Sequence, residues 1–207
     1  MEVYGEKPKR FTKEWREYFW DYYKWHTIGT IVVLLLIIST ITECANKKHY
    51  DLQIDYISET GMTMQTQDQL VSLMEKNIDD VTENGKVEAF LNYLDMNKDT
   101  DPQYVQAMAT KFAVEMGTTE AFVFLVSKDY VEQLEAEMFL EAKEWCDAEP
   151  YKDYFISLAD CSALKDIGVN TDDLYVCVLK LSDGDSDKKQ LEQENGIKFA
   201  KFLIGER

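Results

Sequence analysis

The stretch "AFVFLVS", Ala121–Ser127, decides the fold class of this chain. Every residue before the closing serine is apolar, and the run contains no charged side chain. Successive residues of a β-strand point to opposite faces of the sheet, so a uniformly apolar strand must be covered on both faces. We therefore expect Ala121–Ser127 to be a central strand with helices packed on either side.

The segments around this strand predict helices and further strands. Asp101 can cap a helix whose apolar stripe recurs every four residues until Gly117 ends it. "YDLQIDYIS" (50–58), "KVEAFLNYL" (86–94) and "LYVCVLKL" (174–181) have the composition of strands. Three more helices are predicted. The first begins at a capping box, Thr66–Gln69. The second is marked by the apolar residues Tyr130, Leu134, Met138 and Trp145, and the third covers Lys188–Ile204.

Strands that alternate with helices predict one α/β domain with a mainly parallel sheet and helices on both faces. This domain is strongly acidic. From Lys47 onward, 16 basic residues stand against 33 acidic ones, and the whole chain has a net charge of −17. Such a surface repels phosphate backbones, so we expect no nucleic-acid partner.

A second apolar run, Thr27–Thr42, contains no charge and predicts a membrane anchor. As a helix it reaches about 24 Å, and its flanking residues extend it towards the hydrocarbon thickness of about 30 Å. We predict a transmembrane helix over 27–45, and the alternative is the core helix of a soluble protein. The predicted anchor residues in the lipid bilayer are Trp25, Ile31, Leu34, Leu35, Leu36 and Ile38.

The flanks of this run argue against cleavage and set the expected orientation. A head of about 26 residues is too long and aromatic for a secretory signal, and Glu43 before Cys44 disfavours lipidation. Six basic residues precede the run, which places the tail 1–26 in the cytoplasm and the domain 46–207 outside the cell membrane. The aromatic tail is either an amphipathic helix at the interface or a continuation of the span.

The residue inventory predicts a protein that is not an enzyme. The two histidines, His26 and His49, flank the apolar run, so a Ser-His or Cys-His pair in the domain would require His49 to fold back. No zinc-type cluster of Cys and His and no glycine-rich phosphate loop is present in the sequence. Paired carboxylates remain the alternative, because the acidic domain offers many pairs.

Calcium is the one cofactor for which the sequence offers ligands. Oxygen ligands alternate at Asp183, Asp185 and Asp187, and Glu194 follows eleven residues after Asp183, where a calcium loop places its bidentate carboxylate. The alternative is a helix cap followed by solvated charges.

Cys146 and Cys161 flank a loop-like segment, and a disulfide between them would stabilise the fold by about 3 kcal/mol by closing the loop. Free thiols are the alternative.

Part of the chain, "DPQYVQAMATKFAVEMGTTEAFVFLVSKDYVEQLEAEMFLEAKEW…SLADCSALKD", resembles type 2 extracellular solute-binding proteins. The matching positions are Tyr130–Leu134 and Leu158–Asp160. The whole layout is similar to uncharacterised single-pass proteins of clostridial bacteria. Solute-binding proteins close two lobes around a ligand, whereas this domain can build only one, so the resemblance implies a single-lobe fold and carries no ligand residues across.

Two functions from different classes follow as hypotheses. The first is a membrane-anchored, extracytoplasmic binding or sensing module that recognises a small solute or a partner. The second is a structural accessory subunit of a transporter or envelope assembly, whose tail and span pack against another membrane protein.

Overall fold

The computed structural model describes residues 12–45, 48–97, 101–118, 121–182 and 184–206. The chain divides into two compact units, Met1–Lys48 and His49–Arg207. We call the second of these the outer unit, after its predicted location.

The first unit contains one long helix, α1 (Lys13–Ala45), of 33 residues. The window Tyr23–Thr40 has a mean hydropathy of 1.4, and none of it is buried within the structure. By length and composition this helix can cross a membrane, although a signal sequence near an N-terminus has the same properties. The six predicted anchor residues each expose more than half of their surface. The aromatic segment and the apolar run form one uninterrupted helix, as the continuation alternative requires.

The outer unit contains five strands and six α-helices among its described residues. Its strands are β1 (Leu52–Ser58), β2 (Ala89–Asp95), β3 (Val123–Ser127), β4 (Ile156–Ser157) and β5 (Leu174–Val178). Its helices are α2 (Met64–Lys76), α3 (Pro102–Thr118), α4 (Lys128–Val131), α5 (Ala142–Trp145), α6 (Ser162–Asp166) and α7 (Asp187–Ile204), with a 3-10 turn at Ala136–Met138.

The five strands form one mixed sheet in the order β2-β1-β3-β5-β4. The pairs β1–β2 and β1–β3 are parallel, whereas β3–β5 and β4–β5 are antiparallel. The α/β class is therefore confirmed, with the parallel pairs concentrated around β1. The two-residue strand β4 was not predicted because it is too short to show an alternating pattern.

Helices cover both faces of the sheet, as predicted. Val123 and Leu125 point into a core shared with α2 and α7. Phe124 and Val126 point into a second core on the opposite face, which includes Phe112 of α3. All four of these strand residues are fully buried. The continuous apolar run in β3 thus follows from burial on both faces.

Two helix predictions are wrong in their boundaries. Residues 128–145 form two short helices and a 3-10 turn instead of one helix. Phe139 interrupts the predicted helix, because this residue forms a β-bridge with Leu179. Its ring also packs against the rings of Phe124 and Phe155, with centroid distances of 5.3 and 5.7 Å. Helix α2 is capped by the Thr63 hydroxyl, which accepts from the Thr66 N–H, so the cap lies three residues before the predicted one.

Candidate functional site: a cavity at the beginning of helix α7

The candidate site is a cavity of about 260 Å³ at one end of the sheet. It lies where β1 and β3 begin, where β5 ends and where α7 starts. The volume is near the lower limit for a small-molecule site. The lining residues that carry the argument below are His49, Phe122, Leu179, Asp185, Lys188 and Lys189.

Close packing of α7 against β3 positions this end of the sheet. A Cβ atom on Gly196 would lie 2.9 Å from Cγ2 of Val123, so glycine allows the helix to approach the strand. One turn earlier, the buried Gln193 side chain donates to the Leu179 carbonyl oxygen at 2.7 Å. These contacts hold the start of α7 beside the end of β5, and the cavity lies between the two.

A tight turn before α7 forms the rim of the cavity. The Asp185 N–H donates to the Ser182 carbonyl at 3.1 Å, and the Asp185 carboxylate accepts from the Ser182 N–H at 2.7 Å. The same carboxylate accepts from Lys189 Nζ at 2.8 Å. The Lys189 hydrogen bond, followed by the Ser182 N–H, holds the pKa of Asp185 below its usual value. The rim therefore keeps its negative charge, already paired, at neutral pH.

The first turn of α7 supplies the polar wall. Ser186 stands at the N-cap position, but its side chain makes no capping hydrogen bond. The early N–H groups of a helix carry partial positive charge and favour acceptors and anions. Lys188 and Lys189 lie on this turn and line the cavity. Lys188 Nζ is 3.8 Å from a carboxylate oxygen of Glu192, a long contact that leaves it able to move towards a ligand.

The opposite wall is apolar. It is formed by Ala121 and Phe122, which lead into β3, and by Leu179, which follows β5. Ala121 and Phe122 are buried, at 2% and 6% exposure. Their positions are fixed by the sheet, since the Leu179 N–H donates to the Phe122 carbonyl at 2.8 Å. One apolar wall facing one polar wall suits a small molecule with an apolar body and a polar or anionic end.

His49 does line this cavity, together with Ser182 and Ser186. His49 therefore lies near two serines of the domain, as a Ser-His pair would require. Within the described residues, however, no hydrogen bond joins His49 to either serine. A serine nucleophile needs a base within hydrogen-bonding reach of its hydroxyl. Among the residues that the structure describes, the histidine and the serines are thus both at the cavity, but they are not hydrogen-bonded as a catalytic pair.

Of the predicted calcium ligands, Asp185 lies on a turn that leads into α7, and the chain is already helical from Asp187. Glu194 lies seven residues into α7, about 10 Å along its axis from Asp187, and faces solvent. Asp185 is bound by Lys189, and Asp183 lies outside the described residues. Among the residues that are described, no group of three His, Cys, Asp or Glu side chains could hold a metal ion. Because Asp183 is not described, calcium binding by this stretch stays a prediction, and the described part of the stretch is a turn followed by a helix.

The predicted disulfide is also absent, since Cys146 and Cys161 are both buried free thiols. Cys146 ends α5 and Cys161 precedes α6, and each packs as a small apolar residue in the core between the sheet and α7. Desolvation by burial raises the pKa of both thiols. Cys177, in β5, is buried as expected, and burial raises its pKa strongly.

The matching positions of the solute-binding resemblance, Tyr130–Leu134 and Leu158–Asp160, do not line this cavity. Tyr130 lies just beyond the opposite end of β3, where its hydroxyl donates to Glu59 at 3.1 Å. Asp160 lines a separate cavity of about 360 Å³ beside α6. Sequence reasoning singled out Asp185 but missed the lysines and the apolar wall. The dense polar run "SDGDSDKK" (182–189), which leads into α7, was the available signal for the lysines.

Comparisons with known proteins add no relative. No protein-family model, no curated protein and no solved structure matches this chain.

Proposed function

We propose that this protein is a membrane-anchored, extracytoplasmic module that binds a small solute without transforming it. The observation that carries the proposal is the cavity of about 260 Å³, with an apolar wall on the sheet and a polar wall on the first turn of α7. The resemblance of residues 101–166 to one lobe of extracellular solute-binding proteins is compatible with such a role. The exposed apolar helix α1 supplies the proposed anchor, with the tail 1–26 in the cytoplasm.

The polar wall favours a ligand with an anionic end. Lys188, whose contact with Glu192 is long, and the early N–H groups of α7 attract negative charge, and Lys189 does so only when it exchanges Asp185 for the ligand. The surrounding unit is strongly acidic. An anionic group would therefore find its most favourable contacts inside the cavity. Phe122 and Leu179 would contact the apolar remainder of the solute.

Thermal unfolding of the full chain in detergent, with a panel of amino acids, short peptides and sugars, tests the proposal. A true ligand at one hundred times its dissociation constant adds about 2.7 kcal/mol of stability. The double variant Lys188→Glu, Lys189→Glu should lose most of this shift, because it reverses the charge of the polar wall.

The matched control is Lys165→Glu, an exposed lysine on α6 outside the cavity, which should leave the ligand shift unchanged. The solute-binding role is refuted if no compound of the panel shifts the unfolding midpoint. An equal shift in the double variant would place any bound ligand outside this cavity.

The second candidate function is that of an accessory subunit in a membrane complex. Helix α1 favours it, because its aromatic side chains Trp20 and Trp25 are 56% and 75% exposed. These side chains would pack against another membrane protein. Co-purification of a partner with the full chain, lost in Trp20→Ala, Trp25→Ala, supports this function. Retention of the partner by that variant argues against it.

A further inference from the structure

The strand β2 forms an open edge of the sheet. The Glu88 carbonyl accepts from the Asp51 N–H at 2.8 Å, and the Met96 N–H donates to the Ser58 carbonyl at 2.9 Å. The backbone N–H and C=O groups alternate in direction along a strand. Those of the even-numbered residues of β2 therefore point towards β1, and those of the odd-numbered residues point away from it. Among the residues that the structure describes, no group bonds the outward N–H and C=O groups of Leu91 and Tyr93.

This edge and the helix beside it are nearly neutral. Strand β2 contains one charged residue, Asp95, and the 17-residue helix α3 contains two, Lys111 and Glu115. Lys111 Nζ donates to Asn92 Oδ1 at 3.1 Å, which joins α3 to the edge. The excess of acidic residues in the outer unit therefore lies almost entirely elsewhere.

The same surface is partly apolar. Phe90 of β2 is 40% exposed, and Tyr104 of α3 is 38% exposed. Within the part of α3 whose side chains are described, Phe112 alone is buried. Strand β2 has seven residues and contains no proline. Such an edge strand is a template for pairing with another strand.

We propose that β2 pairs with β2 of a second copy of this chain, antiparallel and about a two-fold axis. An edge strand is complementary to itself in this arrangement, because each outward N–H meets an outward C=O of the same strand type. The charge distribution favours a second copy at this face, since two such acidic units repel each other through their other surfaces.

The register follows from the length of the strand. All seven residues of β2 lie opposite a residue of the second copy only when the two-fold axis passes through Asn92. The outward Ala89 N–H then exchanges its long contact with Glu75 Oε1, at 3.5 Å, for the new strand. Leu91 then faces Tyr93 of the second copy, and their backbones exchange hydrogen bonds. The two Asn92 residues form a non-hydrogen-bonded pair with Cα atoms about 4.5 Å apart. The two Phe90 residues are about 14 Å apart, because each lies two positions from the axis.

Cysteine cross-linking of the full chain in detergent tests this register. In a Cys44→Ser background, Asn92→Cys should form a disulfide-linked dimer of twice 24.1 kDa on mild oxidation. Phe90→Cys, on the same face of the same strand, is the matched control and should cross-link at least about tenfold more slowly, because the register holds its two thiols apart. Adding Leu91→Pro to Asn92→Cys removes one outward N–H and should abolish the cross-link.

Sedimentation equilibrium of the unsubstituted chain provides a measurement that does not depend on cysteine variants. It should give a dimeric protein mass, and Leu91→Pro should give a monomeric one. The inference is overturned if Asn92→Cys stays monomeric, which includes the case in which a different extended peptide occupies the edge. Equal cross-linking of both cysteine variants overturns it as well, since a dimer held by α1 alone would give that result.

Discussion

Asp51 shows how one buried side chain organises a loop that lies far from it in sequence. It is fully buried, and its carboxylate accepts the N–H groups of Val81, Thr82 and Glu88 at 2.8–2.9 Å. Asn195 of α7 completes the arrangement by donating to the Asp51 carbonyl at 3.0 Å. A buried carboxylate is stable only when it is hydrogen-bonded in this way. The acidic segment after α2 is therefore held against the sheet.

Replacement of Asp51 by alanine should destabilise the outer unit by about 3 kcal/mol, because three partly buried N–H groups lose their acceptor. Urea unfolding of the full chain in detergent, followed by circular dichroism, measures this loss. The matched control is Asp172→Ala, which removes an exposed carboxylate and should change stability by less than about 0.5 kcal/mol. Equal effects of the two substitutions would show that the Asp51 contacts contribute nothing specific.

Helix α7 makes one close contact with the sheet that sequence periodicity does not reveal. Gly196 lies in the middle of the helix, where glycine normally costs about 1 kcal/mol relative to alanine. The contact with Val123 explains its presence, because a Cβ atom would lie 2.9 Å from the valine methyl group. The same contact aligns the first turn of α7 with the cavity.

Substitution of Gly196 by alanine should destabilise the outer unit by about 1–2 kcal/mol, because the overpacking cost outweighs the gain in helix propensity. Glu194→Ala, an exposed substitution on the same helix, serves as the control and should be close to neutral. Both are measured by urea unfolding of the full chain. A stabilised Gly196→Ala variant would mean that the helix moves away from β3 at no cost.

At the scale of the whole molecule, charge opposes compactness. The chain carries a net charge of −17, and the described ion pairs are few and lie at the surface. Surface pairs contribute little stability, whereas the summed repulsion of like charges destabilises the folded state. Screening by salt should relieve that repulsion.

Raising sodium chloride from about 10 mM to about 150 mM should stabilise the outer unit by about 1 kcal/mol, which corresponds to a midpoint shift of about 3 °C. Potassium chloride at the same ionic strength is the control and should give the same shift, because screening does not depend on the identity of the ion. The measurement is thermal unfolding of the full chain by circular dichroism. A midpoint that falls with salt would contradict the screening account.

The sequence by itself determined the features that depend on local composition. The uniformly apolar sequence of β3 required helices on both faces of the sheet. The charge-free run made α1 long and apolar enough to cross a membrane. Asp101 predicted the start of α3, and its carboxylate accepts a hydrogen bond from the Gln103 N–H at 2.7 Å. Each of these follows from residues close together in the chain, where spacing and burial are directly related.

Tertiary structure alone decided the features that depend on residues far apart in sequence. Phe139 divides the predicted helix of 128–145 because its ring packs between Phe124 and Phe155. The cavity combines the start of β1, the end of β5 and the first turn of α7. Helix α7 begins at Asp187, so Asp187 and Glu194 lie about 10 Å apart along its axis. The physical reason is that packing and hydrogen bonding between distant segments outweigh local propensity by several kcal/mol, and one-dimensional spacing does not record them.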